Sequence, residues 1–352
     1  MKDDDPRLIR TEFSNLESEK WWRSLQIDAL IFYGWGDPKY QAIMTAIRAA
    51  GIKLIQNLDT VGIYSPYSNF PDWFAASIGL VNRDQSLKGN FRLCARMIRD
   101  FFPKIYETKR LAAIDQSDLV FCVSNAARFS ICDYASSLGL ENITAKARVI
   151  PHAVNPVMKF TTQTKTNTVL MVGRWEKADE SQKDPRMMLK CLKVFLTSHS
   201  TWNAVIVGRG ATELDRFCKQ WSPELRERLQ LLPHLAHDSL VSLCCESKIL
   251  FCASRFESFH IASGEAVCCG CSVVVAAHPL LRSTEHFTSQ SSGTVAIRRD
   301  HRSLVQALES EAEAWEHGAR NPAQISKNWS SQLHAPNVAR AAMKIITDPP
   351  AA

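Results

Sequence analysis

The stretch that decides the fold runs from Lys248 to Ala276, KILFCASRFESFHIASGEAVCCGCSVVVA. Its opening run, Ile249 to Ala253, is apolar and has the length of a buried strand. A polar turn, Ser254 to Ser258, leads into a small-residue segment from Ile261 to Cys269 that ends at Gly270. That pattern predicts a short helix with a glycine stop. Cys271 to Ala276 is a second buried strand. Strand, loop, helix and strand make one βαβ turn of a parallel sheet. Glu257 stands in the loop after the first strand, and Glu265 follows in the first turns of the helix. Strand ends and helix N-termini are where α/β proteins bind anionic, hydroxyl-rich ligands. The two carboxylates are therefore set to accept hydrogen bonds from ligand hydroxyls. The plain alternative is that both are solvated, with Glu265 steadied by the helix dipole.

Working outward, Ser303–Gly318 and Ala335–Thr347 are predicted helices on the C-terminal side. On the N-terminal side lie a helix capped by Asp238 (to Cys245), a strand at Leu229–Leu232, a helix at Glu213–Trp221 and a strand at Asn203–Val207. Gly208-Arg209-Gly210 then suits either a phosphate turn or a tight strand-to-helix turn. Thr168–Val172 is a strand broken by Gly173-Arg174, and Arg186–Leu196 a helix that Pro185 helps start. Arg174 and Lys183 thus stand at one strand end. A pair of cations suits a diphosphate, which carries about two charges, whereas either alone would be an ordinary surface cation.

A first set of α/β elements precedes these: strands at Ile27–Tyr33, Ile52–Leu58 and Asp118–Ser124, helices at Tyr40–Ala50 and Ala126–Leu138, and a strand turning into a loop at Arg148–Val154. Asp59 follows the second strand, at a carboxyl end where ligands gather. Residues 60–90 predict a long shaped loop. From Phe91 to Leu111 a helix is expected, with Lys88, Arg92, Arg96, Arg99 and Lys104 interleaved with Phe91, Phe101 and Phe102. Residues 88–104 suit peripheral membrane contact, or a helix with one core face and one solvated face. The polar run Phe160–Asn167 marks a domain boundary. The expected organisation is a polar lead-in at 1–20, an incomplete Rossmann-like domain at 21–160, a second at 161–330 and a C-terminal helix and tail at 331–352, the two domains facing a cleft.

Composition narrows the partners. The chain has 352 residues, 45% hydrophobic and 22% charged, enough for two domains. A net charge of +6 suits anionic ligands but is not the concentrated basic stripe of a nucleic-acid binder. The eleven cysteines include Cys244, Cys245, Cys252, Cys268, Cys269 and Cys271 in apolar segments, where free thiols behave as small hydrophobes. No Cys-x-x-Cys pair has a matching pair or histidines at zinc spacing, so no metal site is read. Asp3-Asp4-Asp5 suits a disordered tail. With no signal segment and no apolar run of about 20 residues, the expected location is cytoplasmic, at most on the inner face of a membrane.

Five segments together resemble the retaining GT-B glycosyltransferases called group 1 proteins, a glycosyltransferase family 4-like group. SRFESFHIASGEAVCCGCSVVV is similar to their paired-glutamate hallmark, and VLMVGRWEKADESQKDPRMML to their diphosphate segment. VIPHAVNPVMKF resembles the interdomain linker, DLVFCVSNAAR the strand before it, and LLPHLAHDSLVSLCCESKILFCAS the run-up to the glutamates. The resemblance covers roughly residues 110–300.

It implies a nucleotide-sugar donor and a carbohydrate or glycolipid acceptor, as in polysaccharide synthesis, with neither cofactor nor metal. Arg174 and Lys183 would hold the diphosphate, Glu265 the ribose hydroxyls and Glu257 the donor sugar, with backbone N–H groups of Phe259, His260 and Ile261 over sugar and phosphate. Asp59 matches the acid of a His–Asp-like pair whose first place holds Leu58. Ser258 and His260 stand where the family carries glycine, and the N-terminal domain reads as shortened. A non-catalytic homologue binding nucleotide sugar or a partner is the alternative, and a GT-B epimerase or phosphorylase a third reading.

Overall fold

The structure, a computed structural model, describes residues 8–34, 36–59, 90, 91, 94, 95, 98, 103–177, 179–278 and 281–348. The predicted loop at 60–90 and most of the basic-aromatic segment at 88–104 lie outside the described residues, as does Asp3-Asp4-Asp5. The chain divides into two compact units. One carries the residues up to Asp59, those from Pro103 to Ile150 and the last residues from Lys344; the other runs from Pro151 to Met343.

The first unit is a four-stranded parallel sheet in the order β1-β2-β3-β4: β1 Ala29–Phe32, β2 Lys53–Leu58, β3 Leu119–Cys122 and β4 Ala147–Val149. The helix Gln41–Ala49 has apolar residues at helical spacing and lays Ile43, Met44 and Ile47 in a core with Trp22, Ile52 and Leu54. Ser124, read as a strand end, instead caps the helix Asn125–Ser137 by accepting from the Ala127 N–H. Pro103, expected inside a helix from Phe91 to Leu111, opens a helix Pro103–Asp115; at a first position its missing N–H costs nothing.

The second unit is a six-stranded parallel sheet in the order β10-β9-β8-β5-β6-β7: β5 Thr166–Val172, β6 Asn203–Val207, β7 Leu229–Leu232, β8 Ser247–Phe251, β9 Ser272–Ala276 and β10 Gly293–Ala296. Every residue of β9 is buried, which is why it reads as a continuous apolar run rather than an alternating one. The helices Pro185–Ser198 and His301–Glu316 bring Met188, Leu192, Phe195, Leu304 and Leu308 onto Ile206, Ile249 and Phe251 of the sheet. From β5 the chain winds one way through β6 and β7, then returns to β8 on the other side of β5 and continues to β10. The order reverses between β5 and β8. Among the described residues no helix is long and apolar enough to cross a membrane.

The expectations need corrections here. Asp238 is not a cap: the helix is His237–Glu246, Asp238 lies in its first turn, and Ala236 precedes it without a side-chain bond. Glu213–Trp221 is a 3-10 turn at Ala211–Leu214 followed by one helical turn, Asp215–Cys218. β10 and the helix Pro322–Leu333 were not foreseen, because four residues carry little pattern and Ser, Asn and Gln dilute the helical stripe. Gly208-Arg209-Gly210 is a close backbone approach. At φ 131°, a Cβ on Gly208 would stand 1.8 Å from the Gly173 carbonyl oxygen.

The polar segment Phe160–Asn167 carries a structural lysine and the start of β5. The Lys165 ammonium donates to the carbonyls of Cys244 at 2.9 Å, Ser247 at 2.8 Å and Cys269 at 2.9 Å. It thereby ties the lead into β5 to the chain just before the decisive βαβ unit and to the turn between its helix and second strand. Lys165→Met removes these three hydrogen bonds, at about 1 kcal/mol each, while the Cys244 and Ser247 carbonyls keep the Cys271 thiol at 2.9 and 3.2 Å. Urea unfolding is expected to show a loss of about 3 kcal/mol; an unchanged midpoint would mean water replaces the ammonium without penalty.

Candidate functional site

Carboxyl ends of parallel strands on either side of a reversal in strand order cannot share one crossover, so their loops diverge and leave a crevice. Here the loops after β5 and β8 are those two loops. Backbone and side-chain bonds then zip them together. The Arg255 N–H donates to the Gln182 carbonyl at 2.8 Å, and Gln182 Nε2 donates to the Phe256 carbonyl at 3.1 Å. Asp184, in the left-handed region at φ 48°, caps the helix Pro185–Ser198 through the Met187 N–H. Its Oδ2 also accepts from Arg299 at 2.7 Å and pairs with Arg255 at 3.0 Å. Arg299 donates in turn to the carbonyls of Ala253 and Ser254, binding the loop after β10 into the same knot. On the other flank Trp175 is buried, with Nε1 on the Val207 carbonyl at 2.9 Å and its N–H on the Arg209 carbonyl at 2.7 Å.

The knot presses two charges together. Lys183 Nζ lies 2.6 Å from Glu257 Oε1, both side chains about nine-tenths buried. Ser283 Oγ donates to the Glu257 carbonyl at 2.8 Å. Burial by itself would raise the Glu257 carboxyl, but Lys183, His260 and the Ser254 hydroxyl outweigh it and hold the group below the ordinary carboxylate range. Glu257 is therefore an ionised, buried acceptor. His260 is buried beside it at φ 63°, its Nδ1 2.7 Å from Ser263 Oγ, at the N-terminal boundary of the helix Ile261–Cys268. Burial pushes its imidazole down to about 4 against the pull of Glu257, so the ring is neutral at pH 7.

The structure brings Lys183, Glu257 and His260 into contact range. Arg174 stands at the rim, half exposed, 3.4 Å from the buried Asp179. Glu265 lies further along the helix, its carboxyl raised by burial and pulled back by His237. The Phe259 side chain is buried core, its ring edge-on to His152 at 5.4 Å and Phe287 at 5.1 Å. Only its backbone can face a ligand. The Ile261 side chain is exposed, and its N–H belongs to the first helical turn, whose donors have no intrahelical partner. Asp59, exposed after β2, belongs to the first unit.

Three participants were not foreseen. Asp184 followed by Pro185 is a cap-and-proline signal that could have been read. Arg299 carries no local signal, because its partner lies 115 positions away. Cys252, read as a core hydrophobe, offers its sulfur within 4.8 Å of ligand atoms of both Glu257 and His260, all three residues being buried. Such a trio has no spacing signature, because the loop, not a short repeat, makes it converge.

Residues 158–328 match the sequence model of the family described as "Glycosyl transferases group 1", just under half of the chain. The matched segment contains Lys183, Glu257 and His260. Among solved structures, Anabaena Alr3699/HepE in complex with UDP is similar at 14% identity and TM-score 0.64, over 93% of this chain and 82% of that one. The sucrose-phosphate synthase of Thermosynechococcus elongatus is similar at 12% identity and TM-score 0.58, over 98% and 81%. The lipopolysaccharide outer core galactosyltransferase WaaB in its apo form is similar at 13% identity and TM-score 0.58, over 94% and 77%. At these identities the likeness establishes the fold, which is α/β of the GT-B kind. No curated protein matches the chain.

The neutral His260 has a measurable consequence. Its imidazole is pushed from 6.5 down to about 4 by folding. Between those values the unfolded chain binds the proton and the folded chain does not, so stability falls as pH falls through that window. The full effect is roughly 3 kcal/mol. His260→Asn keeps a residue that tolerates the left-handed backbone and removes the titration. Urea unfolding from pH 7 to 4.5 is expected to lose stability more steeply in the wild type than in H260N; equal slopes would put the acid sensitivity elsewhere.

Proposed function

We propose that the protein is a retaining glycosyltransferase, moving a sugar from a nucleotide diphosphate to a hydroxyl acceptor. The observation that carries this reading is the buried Lys183–Glu257 pair at the strand-order reversal, with Arg174 at its rim and a helix N-terminus beside it. Such a site is cationic and acceptor-bearing at once. A diphosphate needs the first property and a sugar the second.

In this reading the ion pair is the resting state. An arriving diphosphate takes over Lys183, and Arg174 leaves its weak, half-exposed contact with Asp179 to join it. Glu257, released but still ionised, accepts hydrogen bonds from the donor sugar. Glu265 takes the ribose hydroxyls, and the N–H groups of Phe259, His260 and Ile261 point at phosphate and sugar, as helix N-termini do toward anions. As the anomeric carbon–oxygen bond breaks, negative charge grows on the leaving diphosphate. Lys183 and Arg174 stabilise it more than they stabilise the intact donor, which is what accelerates the step. The acceptor hydroxyl attacks from the face the diphosphate leaves, and a phosphate oxygen takes its proton, so the configuration is retained. No step in this scheme calls on a metal ion. Asp59 is assigned to orient the acceptor.

The complex of HepE with UDP supports uridine diphosphate as the first nucleotide to test, and the name of WaaB supports a saccharide acceptor. A cytoplasmic location, with residues 88–104 against a membrane face, completes the proposal; the basic and aromatic residues of that segment support it.

Calorimetry with UDP, GDP and ADP tests it. One nucleotide is expected to bind at micromolar level, about −8 kcal/mol, and Arg174→Ala or Glu265→Ala to weaken it by more than about tenfold (about 1.4 kcal/mol). With the matching sugar nucleotide, labelled sugar should pass to a saccharide acceptor with its anomeric configuration kept, as read by NMR coupling constants. Binding without transfer to any acceptor would leave a nucleotide-sugar-binding module; inverted product would overturn the mechanism.

A further inference from the structure

We propose that Cys252, Glu257 and His260 form a binding site for a soft divalent cation of the zinc type, and that an ion held there shuts the donor site. The closing effect rests on the donor-site reading above; the cation site does not.

The donor set comes first. A thiol, an imidazole and a carboxylate each bring one ligand atom, the three atoms lie within 4.8 Å of one another, and all three residues are buried. Sulfur with nitrogen is a set that zinc accepts and that magnesium or calcium, which prefer oxygen, do not. Zn–S and Zn–N lengths put the ligand atoms of a tetrahedral centre roughly 3.5 Å apart. Closing onto an ion therefore asks for a contraction of about 1 Å, leaving a fourth position for water or a ligand.

The ligands are also oriented. Ser263 Oγ holds His260 Nδ1 at 2.7 Å, which leaves Nε2 as the nitrogen for an ion and supplies the outer hydrogen bond that metal-bound imidazoles usually have. Glu257 spends Oε1 on Lys183 at 2.6 Å, whereas Oε2 has a long contact, 3.4 Å, with Gln182 Nε2, and the Ser254 hydroxyl also bonds the carboxyl. The Cys252 sulfur is touched by Ser254, through its backbone and at 3.7 Å through its Oγ, and the transfer reaction has no use for it. Finally, the backbone at His260 is left-handed, φ 63° and ψ 76°, a conformation that glycine adopts without strain. An imidazole is kept there at the expense of backbone strain, and its ring is turned inward.

Binding balances simply. The ion displaces the Cys252 thiol proton to solvent, and a metal–thiolate bond forms without any change of oxidation state. The ion then holds the Glu257 carboxylate, the group assigned to the donor sugar, and the His260 ring beside the N–H groups assigned to the phosphate, so cation and nucleotide sugar exclude each other. Lys183 is a like charge at the edge of the site and lowers its affinity for a cation.

The test uses the full chain, stripped with chelator and titrated with Co2+ as the probe. The wild type is expected to develop the near-ultraviolet thiolate-to-cobalt band at one equivalent, and Zn2+ to bleach it. C252S should lack the band. Lys183→Met should develop it at lower cobalt concentration, by at least about threefold. No band, or one that persists in C252S and therefore belongs to another cysteine, overturns the site. Should C252S fail to give the wild-type circular dichroism spectrum, H260N serves in its place, with the same loss expected. In calorimetry, one equivalent of Zn2+ should weaken UDP binding to the wild type by about tenfold (about 1.4 kcal/mol) and leave C252S unaffected, which separates competition at the site from chelation of zinc by the nucleotide. Equal effects on both proteins overturn the closing role. UDP that fails to bind the metal-free wild type overturns the donor reading alone, because the cobalt band is read without nucleotide.

Discussion

A lysine ammonium and a glutamate carboxylate taken out of water together set the terms for the second unit. Neither Lys183 nor Glu257 is tolerable where it lies without the other, since removing one partner of a buried pair strands a charge at a penalty of about 3–5 kcal/mol. The two residues belong to loops that leave adjacent strands and would otherwise diverge. The Asp184–Arg299–Arg255 knot and the Gln182 bonds hold those loops in register. Such a pair adds little net stability. In the proposed reaction its value is that it can be exchanged: a ligand carrying both negative charge and hydroxyls would replace each partner for the other.

The surroundings of the pair follow from the same constraint. Phe259 packs into the core and pins the start of the helix Ile261–Cys268, so the neighbouring N–H groups have a fixed direction. His260, neutral because it is buried, adds a polar ring without adding a cation to a site already holding Lys183 and Arg174. The thiol of Cys252 stays protonated, pushed up to about 11 mainly by burial and then by Glu257. A dry, charge-balanced, hydrogen-bonded pocket wall is the kind of environment in which fixed cations stabilise a leaving group strongly.

The local structure around this site was legible in the sequence, because it is written in elements with clear signals. The βαβ unit at Lys248–Ala276 has apolar runs of strand length, a polar turn and a glycine stop, and all appear where the pattern puts them. Lys183 and Glu257 could be named from their strand ends, but not their contact, which spans 74 positions and exists only because β5 and β8 are neighbours. Arg299 and Lys165 escaped for the same reason: each acts on backbone carbonyls far along the chain, and a carbonyl has no sequence signature. Asp238 misled because a capping residue type one position inside a helix looks the same in one dimension.

The most direct measurement is a crystal structure of the protein with UDP bound. The account predicts that Lys183 Nζ leaves Glu257 Oε1, now 2.6 Å away, for the diphosphate, with Arg174 on the same phosphates and the ribose hydroxyls on Glu265. UDP bound elsewhere, with the Lys183–Glu257 pair intact, would contradict it.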